Sequence, residues 1–138
     1  MEKKSIGSRI HGIDLLEKLL IRTDVQEKED FNFDIKMQSA LDHNRKLVIV
    51  LVDVVIKKSN EATPVAKFAT ATGFDVVDFD IVFAPVEDKI TIPIDLENLF
   101  KSICISTMRG IIFSELRGTI LGGAIMPIIG LDTLKPLD

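Results

Sequence analysis

The stretch from Lys46 to Lys57 constrains the fold of this chain more than any other. It reads Leu47, Val48, Ile49, Val50, Leu51, Val52, Asp53, Val54, Val55, Ile56. β-Branched side chains are stiff at χ1 and favour extended backbone, so the run is a strand. Its first half is apolar at consecutive positions, which predicts cover on both faces there. Such a strand needs partners, and the flanking sequence supplies them. Phe31, Phe33, Ile35 and Met37 alternate with Asn32, Asp34, Lys36 and Gln38, the period of a strand with one buried face. Leu41 to Arg45, with Asp42-His43-Asn44, is a turn cluster between the two. Lys57 to Glu61 is a polar hairpin connection. Thr63 to Val77 is a third extended stretch, in which Gly73 predicts a bulge or bend.

The sequence on either side of this strand set is less regular. Residues 1–12 read as a flexible lead-in, and Ile13 to Ile21 as a short helix or an irregular strand. Thr23 to Asp30 is polar and reads as a loop. From Pro93 to Arg117 the period becomes helical. Pro93 is tolerated in a first turn, and Asp95 and Glu97 suit the positive N-terminal end. Leu96, Leu99, Phe100, Ile103, Cys104, Met108, Ile111, Ile112, Phe113 and Leu116 cover more than one side, so the helix needs cover on more than one side. The exception is a row of small residues at i, i+4 spacing: Ser102, Ser106, Gly110 and Ser114. That row lets another backbone approach closely, or it simply faces water or a sheet. Gly118 suits a helix stop after Arg117. Ile120 to Leu131 is apolar but broken by Gly122, Gly123, Pro127 and Gly130, and reads as an extended loop.

The chain has 138 residues, which fits a single domain spanning 1–138. A hydrophobic share of 46% excludes a disordered chain. The mean hydropathy of +0.27 leaves apolar surface to hide. Trp and Tyr are absent and the net charge is -4, which argues against nucleic acid as a partner. The N-terminus shows no signal-peptide pattern, and no apolar run is long enough to span a membrane. The single cysteine, Cys104, excludes an internal disulfide and is consistent with a cytoplasmic location.

The usual catalytic constellations are missing. His11 and His43 lie in separate polar contexts, and neither has a partner at metal-ligand spacing. Cys104 sits in the apolar helix pattern without a convincing His partner. Gly118 to Gly123 has no Gly-Lys-Ser/Thr ending, so it is not a phosphate loop. Asp75, Asp78 and Asp80 lack the spacing of a calcium loop and read as a solvated strand face. The chain therefore reads as a non-enzyme without metal or cofactor. Its excess apolar surface is core, an oligomer interface or a groove for other polypeptides.

In this order of elements the chain resembles the SecB family of protein-export chaperones, over roughly Ile13 to Leu131. Val54-Val55-Ile56-Lys57 and Val65-Ala66-Lys67-Phe68-Ala69-Thr70-Ala71-Thr72-Gly73-Phe74-Asp75-Val76 are similar to two of the family's strands. Phe31 to Gln38 resembles its first strand. Leu96-Glu97-Asn98-Leu99 to Arg117-Gly118-Thr119 resembles its main helix, and Ile120 to Leu131 its proline-bearing loop. Of the family's Phe-Pro-Tyr-Ala-Arg-Glu motif only Arg109 matches, within Ser106-Thr107-Met108-Arg109-Gly110. The pattern is that of a divergent SecB-like protein.

The resemblance implies an α+β fold, a four-stranded antiparallel sheet with one main helix packed on it. It implies a homo-oligomer, dimer or tetramer, with helices sandwiched between sheets. Ser102, Ser106, Gly110 and Ser114 are the expected interface. The implied activity is ATP-independent holding of unfolded or nascent polypeptides, for export or for a toxin–antitoxin system. The apolar residues make Ile120, Leu121, Ile125, Met126, Ile128 and Ile129 the expected groove lining, with Phe79, Phe83 and Phe113 next. SecA or a toxin–antitoxin pair are further partners the resemblance raises. A binding module for one apolar small ligand or one dedicated protein partner is the alternative.

Overall fold

The computed structural model describes residues 7–21, 30–59, 61–119 and 121–128, and the backbone of 135–136. The elements are β1 (Ser8–Leu20), β2 (Phe31–Asp42), β3 (Leu47–Lys58), β4 (Pro64–Val76), α1 (Phe79–Val82), α2 (Ile94–Leu116) and β5 (Lys135–Pro136). The four long strands pair antiparallel in the order β1-β4-β3-β2, and β5 adds two residues parallel to β2. The architecture is the expected α+β one, a four-stranded antiparallel sheet with one main helix.

The β-branched run of β3 takes a central place, bonded to β2 on one side and β4 on the other. Even-numbered residues from Val48 to Ile56 are buried under α2, as are Ala66, Phe68, Thr70, Thr72 and Phe74 of β4. Among the described residues, the cover on both faces of β3 expected from the sequence is only partial: Leu47, on the face away from α2, is buried. Ile49 and Leu51 are only half-buried, because α2 lies on one face alone. Of their cross-strand neighbours, Ala40, Gly73 and Ala71 are too small to shield them further, and Gln38 is exposed. The β2–β3 turn holds through the Arg45 N–H, which donates to Asp42 Oδ1 at 3.0 Å, with Lys46 at φ 57.

The helix docks through Leu96, Phe100, Cys104, Ile105, Met108, Ile112 and Leu116. Phe100 stacks on Phe74 of β4 with centroids 4.0 Å apart, which fixes α2 over the strand by ring packing. Pro93 occupies the cap position, Asp95 and Glu97 face the positive helix end, and Glu97 pairs with Lys101 at 2.6 Å. The helix stops where expected. Gly118 takes φ 80, and the Thr119 hydroxyl donates to the Leu116 carbonyl at 2.6 Å.

Two expectations are corrected at the N-terminal end. β1 starts at Ser8, so residues 8–12 of the expected lead-in belong to the sheet, and the helical alternative for 13–21 falls away. The bulge expected at Gly73 lies instead in β1, opposite it: the β1–β4 register shifts between Ile10 and Gly12 and again between Leu15 and Glu17. Gly73 itself stays in register with β3. Most of the Thr23 to Asp30 loop lies outside the described residues.

Candidate functional site

The nine expected groove residues separate by burial. Leu121, Met126, Phe79 and Phe83 are in the core at 0–4% exposure, covered by their own chain rather than open to a ligand. Phe79 and Phe83 tilt against each other at 4.7 Å, closing the sheet end beside α1. Ile125, Ile128 and Phe113 face outward, at 59%, 94% and 52%. Ile120 and Ile129 lie outside the described residues. Ser102, Ser106, Gly110 and Ser114 are all exposed along the outward side of α2, flanked by exposed Leu99 and Phe113.

Side chains at both ends of the 121–128 segment hold it to the helix. Arg109 Nε donates to the Met126 carbonyl at 3.2 Å, and Nη2 to the Pro127 carbonyl at 3.0 Å. The alternation along the segment then follows: Leu121, Ala124 and Met126 turn in, while Ile125 and Ile128 turn out. The Thr119 hydroxyl also accepts from the Leu121 N–H at 3.2 Å, tying the start of the segment to the helix end.

An open apolar surface on β1 was not singled out from the sequence. Every residue of β1 is exposed, and Ile10, Ile13, Leu15, Leu16, Leu19 and Leu20 keep 42–60% of their surface open. Pairing with β4 sets their sides. Ile10, Ile13, Leu15 and Leu20 sit opposite Phe74, Thr72, Thr70 and Ala66, all buried, so these four lie on the face that carries α2. The helix therefore lies over β3 and β4 but leaves the same face of β1 open. The helix end comes beside that strip, since Lys18 Nζ meets Glu115 Oε2 at 2.6 Å. Ile103 and Ile111 of α2 are partly buried against the core. The missed signal was the near-continuous Leu15-Leu16 and Leu19-Leu20-Ile21 run, whose period is hidden by the bulge at Leu16.

The ionisable groups near these surfaces are few. Arg9 Nε donates to Asp75 Oδ2 at 3.0 Å, and His11 Nδ1 lies 3.2 Å from the same oxygen. The Arg9 hydrogen bond is the main reason that the Asp75 carboxyl is held below its usual range. Burial pushes the Cys104 thiol up to about 11, offset only in part by the Thr72 hydroxyl beside it. That hydroxyl has no conventional hydrogen-bond partner of its own. A thiol in this state is a poor nucleophile at neutral pH. Among the described residues no group of three or more His, Cys, Asp or Glu could hold a metal ion. No described helix is long and apolar enough to cross a membrane.

The recesses are open and polar-edged. One lies on the sheet face away from α2, among Glu17, Asp34, Lys36, Asp53, Lys57 and Lys67. Lys57 and Asp34 pair across it at 2.8 Å. It has the wrong lining for a small apolar ligand.

No family model matches the sequence, and a search of curated proteins finds no match. Among solved structures, the chain is similar to a SecB-like chaperone of Mycobacterium tuberculosis, determined in complex with a ChAD peptide from the HigA1 antitoxin. The TM-score is 0.57 over 88% of this chain and 90% of that one, at 14% identity. The fold is SecB-like. At that identity the likeness establishes the SecB-like architecture alone, and what the fold does here rests on the surfaces described above.

Proposed function

We propose that this protein is a divergent SecB-like chaperone that holds unfolded or nascent polypeptides without ATP. The observation that carries the reading is the open apolar strip on β1, Ile10, Ile13, Leu15 and Leu20, beside the uncovered side of α2. Large aliphatic side chains at 42–46% exposure along one strand face, interrupted there by Lys18 opposite Phe68, mark an interaction surface. Burial of such surface yields about 25 cal/mol per Å² and is non-directional, so many client sequences satisfy it. Ile125, Ile128 and Phe113 extend the same chemistry, with Ile120 and Ile129 expected to join them. Holding makes and breaks no bond, which agrees with an inert Cys104 and with His residues confined to exposed positions. Binding to the unfolded chain slows its folding and aggregation by mass action.

The likeness to a chaperone solved with an antitoxin peptide supports a peptide-binding role and favours a toxin–antitoxin setting over export through SecA. The same likeness supports a second reading, in which one dedicated protein partner takes the surface. A cytoplasmic site of action and assembly into dimers or tetramers, through Ser102, Ser106, Gly110 and Ser114, belong to the proposal. The test is suppression of aggregation of several unfolded proteins by the purified chain, with no nucleotide added. Suppression across unrelated clients is the expected result. No suppression and no retarded refolding for any of them sinks the general holdase.

A further inference from the structure

The outer edge of β2 carries an occupant of informative kind. All twelve residues of β2 pair with β3 on one side. On the other side, among the described residues, Lys36 and Met37 alone are paired, with Lys135 and Pro136 in parallel register. Among the described residues no other strand meets that edge. We propose that the β2 edge is a binding site for an extended polypeptide segment in parallel register, and that Lys135–Pro136 occupies it as an internal stand-in that a client strand displaces. The edge deepens the holding function proposed above, and its client arm rests on that reading.

Three features give the edge its chemistry. An unpaired edge offers N–H and C=O groups to any strand, whatever its sequence. The side chains along β2 then set a preference. Phe31, Phe33 and Leu41 are partly open on the α2 face, packed against the core, while Asn32, Asp34 and Lys36 are exposed on the other. The fitting partner is a segment with apolar residues at alternate positions. Among the described residues the stand-in pairs through two, one of them a proline that lacks an N–H, and a strand with more paired residues outcompetes it.

The experiment uses the full chain with Lys36→Cys and Lys135→Cys. Paired residues on neighbouring strands lie about 4.8 Å apart, inside the range of about 4.4–6.8 Å that a disulfide spans. Buried Cys104 stays out of the exchange. The first probe is a synthetic peptide of residues 130–138, added at about millimolar concentration to match an intramolecular competitor. In the reduced protein it shifts backbone amide resonances of β2, and in the oxidised protein it does not. The second probe is a carboxymethylated, permanently unfolded protein, whose affinity falls about tenfold or more on oxidation and returns with reductant. Amide shifts absent from β2, or equal in the two redox states, overturn the edge, as does failure of the disulfide to form under mild oxidant. If neither state holds the unfolded protein while the peptide still shifts β2 only when reduced, the holdase fails and the edge stands.

Discussion

Arg109 projects from α2 and donates to two consecutive carbonyls, those of Met126 and Pro127. Charged donors to backbone oxygens contribute more than neutral ones, and a guanidinium reaches both with one planar group. Arg109→Ala is expected to lower stability by about 1–2 kcal/mol, part of the bond set being exposed. Chemical denaturation measures that, and limited proteolysis within 121–128 should quicken while the far-ultraviolet helix signal stays. Arg109→Lys, with a point charge in place of the fork, should fall between. Cys104 sets a second expectation. Its thiol is buried and raised to about 11 from an ordinary 9.0, so the folded state binds its proton more tightly than the unfolded chain does. Stability from this group is full below pH 9 and is lost as pH rises toward 11. The wild type should lose about 2 kcal/mol more than Cys104→Ala across that interval in denaturant titrations. An equal alkaline loss in the two proteins contradicts the assignment. At neutral pH, thiol reagents should label Cys104 only after unfolding.

Among the elements, β1 separates what the sequence pattern reveals from what it hides. β2, β3 and β4 were legible because Phe31 to Met37 alternate and because valines and isoleucines fill β3. In β1 the bulges near His11 and Leu16 reset the period twice, so Ile10, Ile13, Leu15 and Leu20 share a face although their numbers do not alternate. Burial is also weak there, which removes the usual contrast between inward and outward residues. The same blindness misplaced Phe79, Phe83, Leu121 and Met126: apolar composition does not distinguish a residue that closes the core from one that lies open. These facts give a direct test of β1. Ile13→Lys with Leu15→Lys changes side chains already 43% and 42% exposed, so stability should shift by no more than about 1 kcal/mol. Aggregation suppression should fall sharply. Undiminished holding removes β1 from the client surface. The strand's attachment is acid-sensitive as well. Asp75, held by Arg9 and His11, has a lowered carboxyl pKa, so its contribution is present above the ordinary 3.8 and fades as pH drops through the folded value. Amide exchange at Arg9 to Gly12 should rise below about pH 4, and Asp75→Asn should remove that step.

At the scale of the whole molecule, the open question that hydropathy posed becomes a question about α2. One side of the helix fills the core, and the other carries Ser102, Ser106, Gly110 and Ser114 between exposed Leu99 and Phe113. Within one chain nothing explains the glycine. A Cβ at Gly110 meets no atom within 4 Å, and a mid-helix glycine costs about 0.5–1 kcal/mol relative to alanine. The sacrifice is accounted for if a second copy packs its helix across this row, where small side chains bring backbones close. Light scattering of the native protein should then give a dimer or tetramer mass. Gly110→Leu keeps the protomer folded, because its side chain points into open space, and should shift the mass to a smaller species. Gly110→Ala separates the two effects: it strengthens the helix by about 0.5–1 kcal/mol and weakens assembly only slightly. A Gly110→Leu protein of unchanged mass leaves the row as a plain solvent face, and assembly must then run through β1. A monomeric native protein removes the assembly altogether and leaves the β1 strip free on a single chain for the proposed clients.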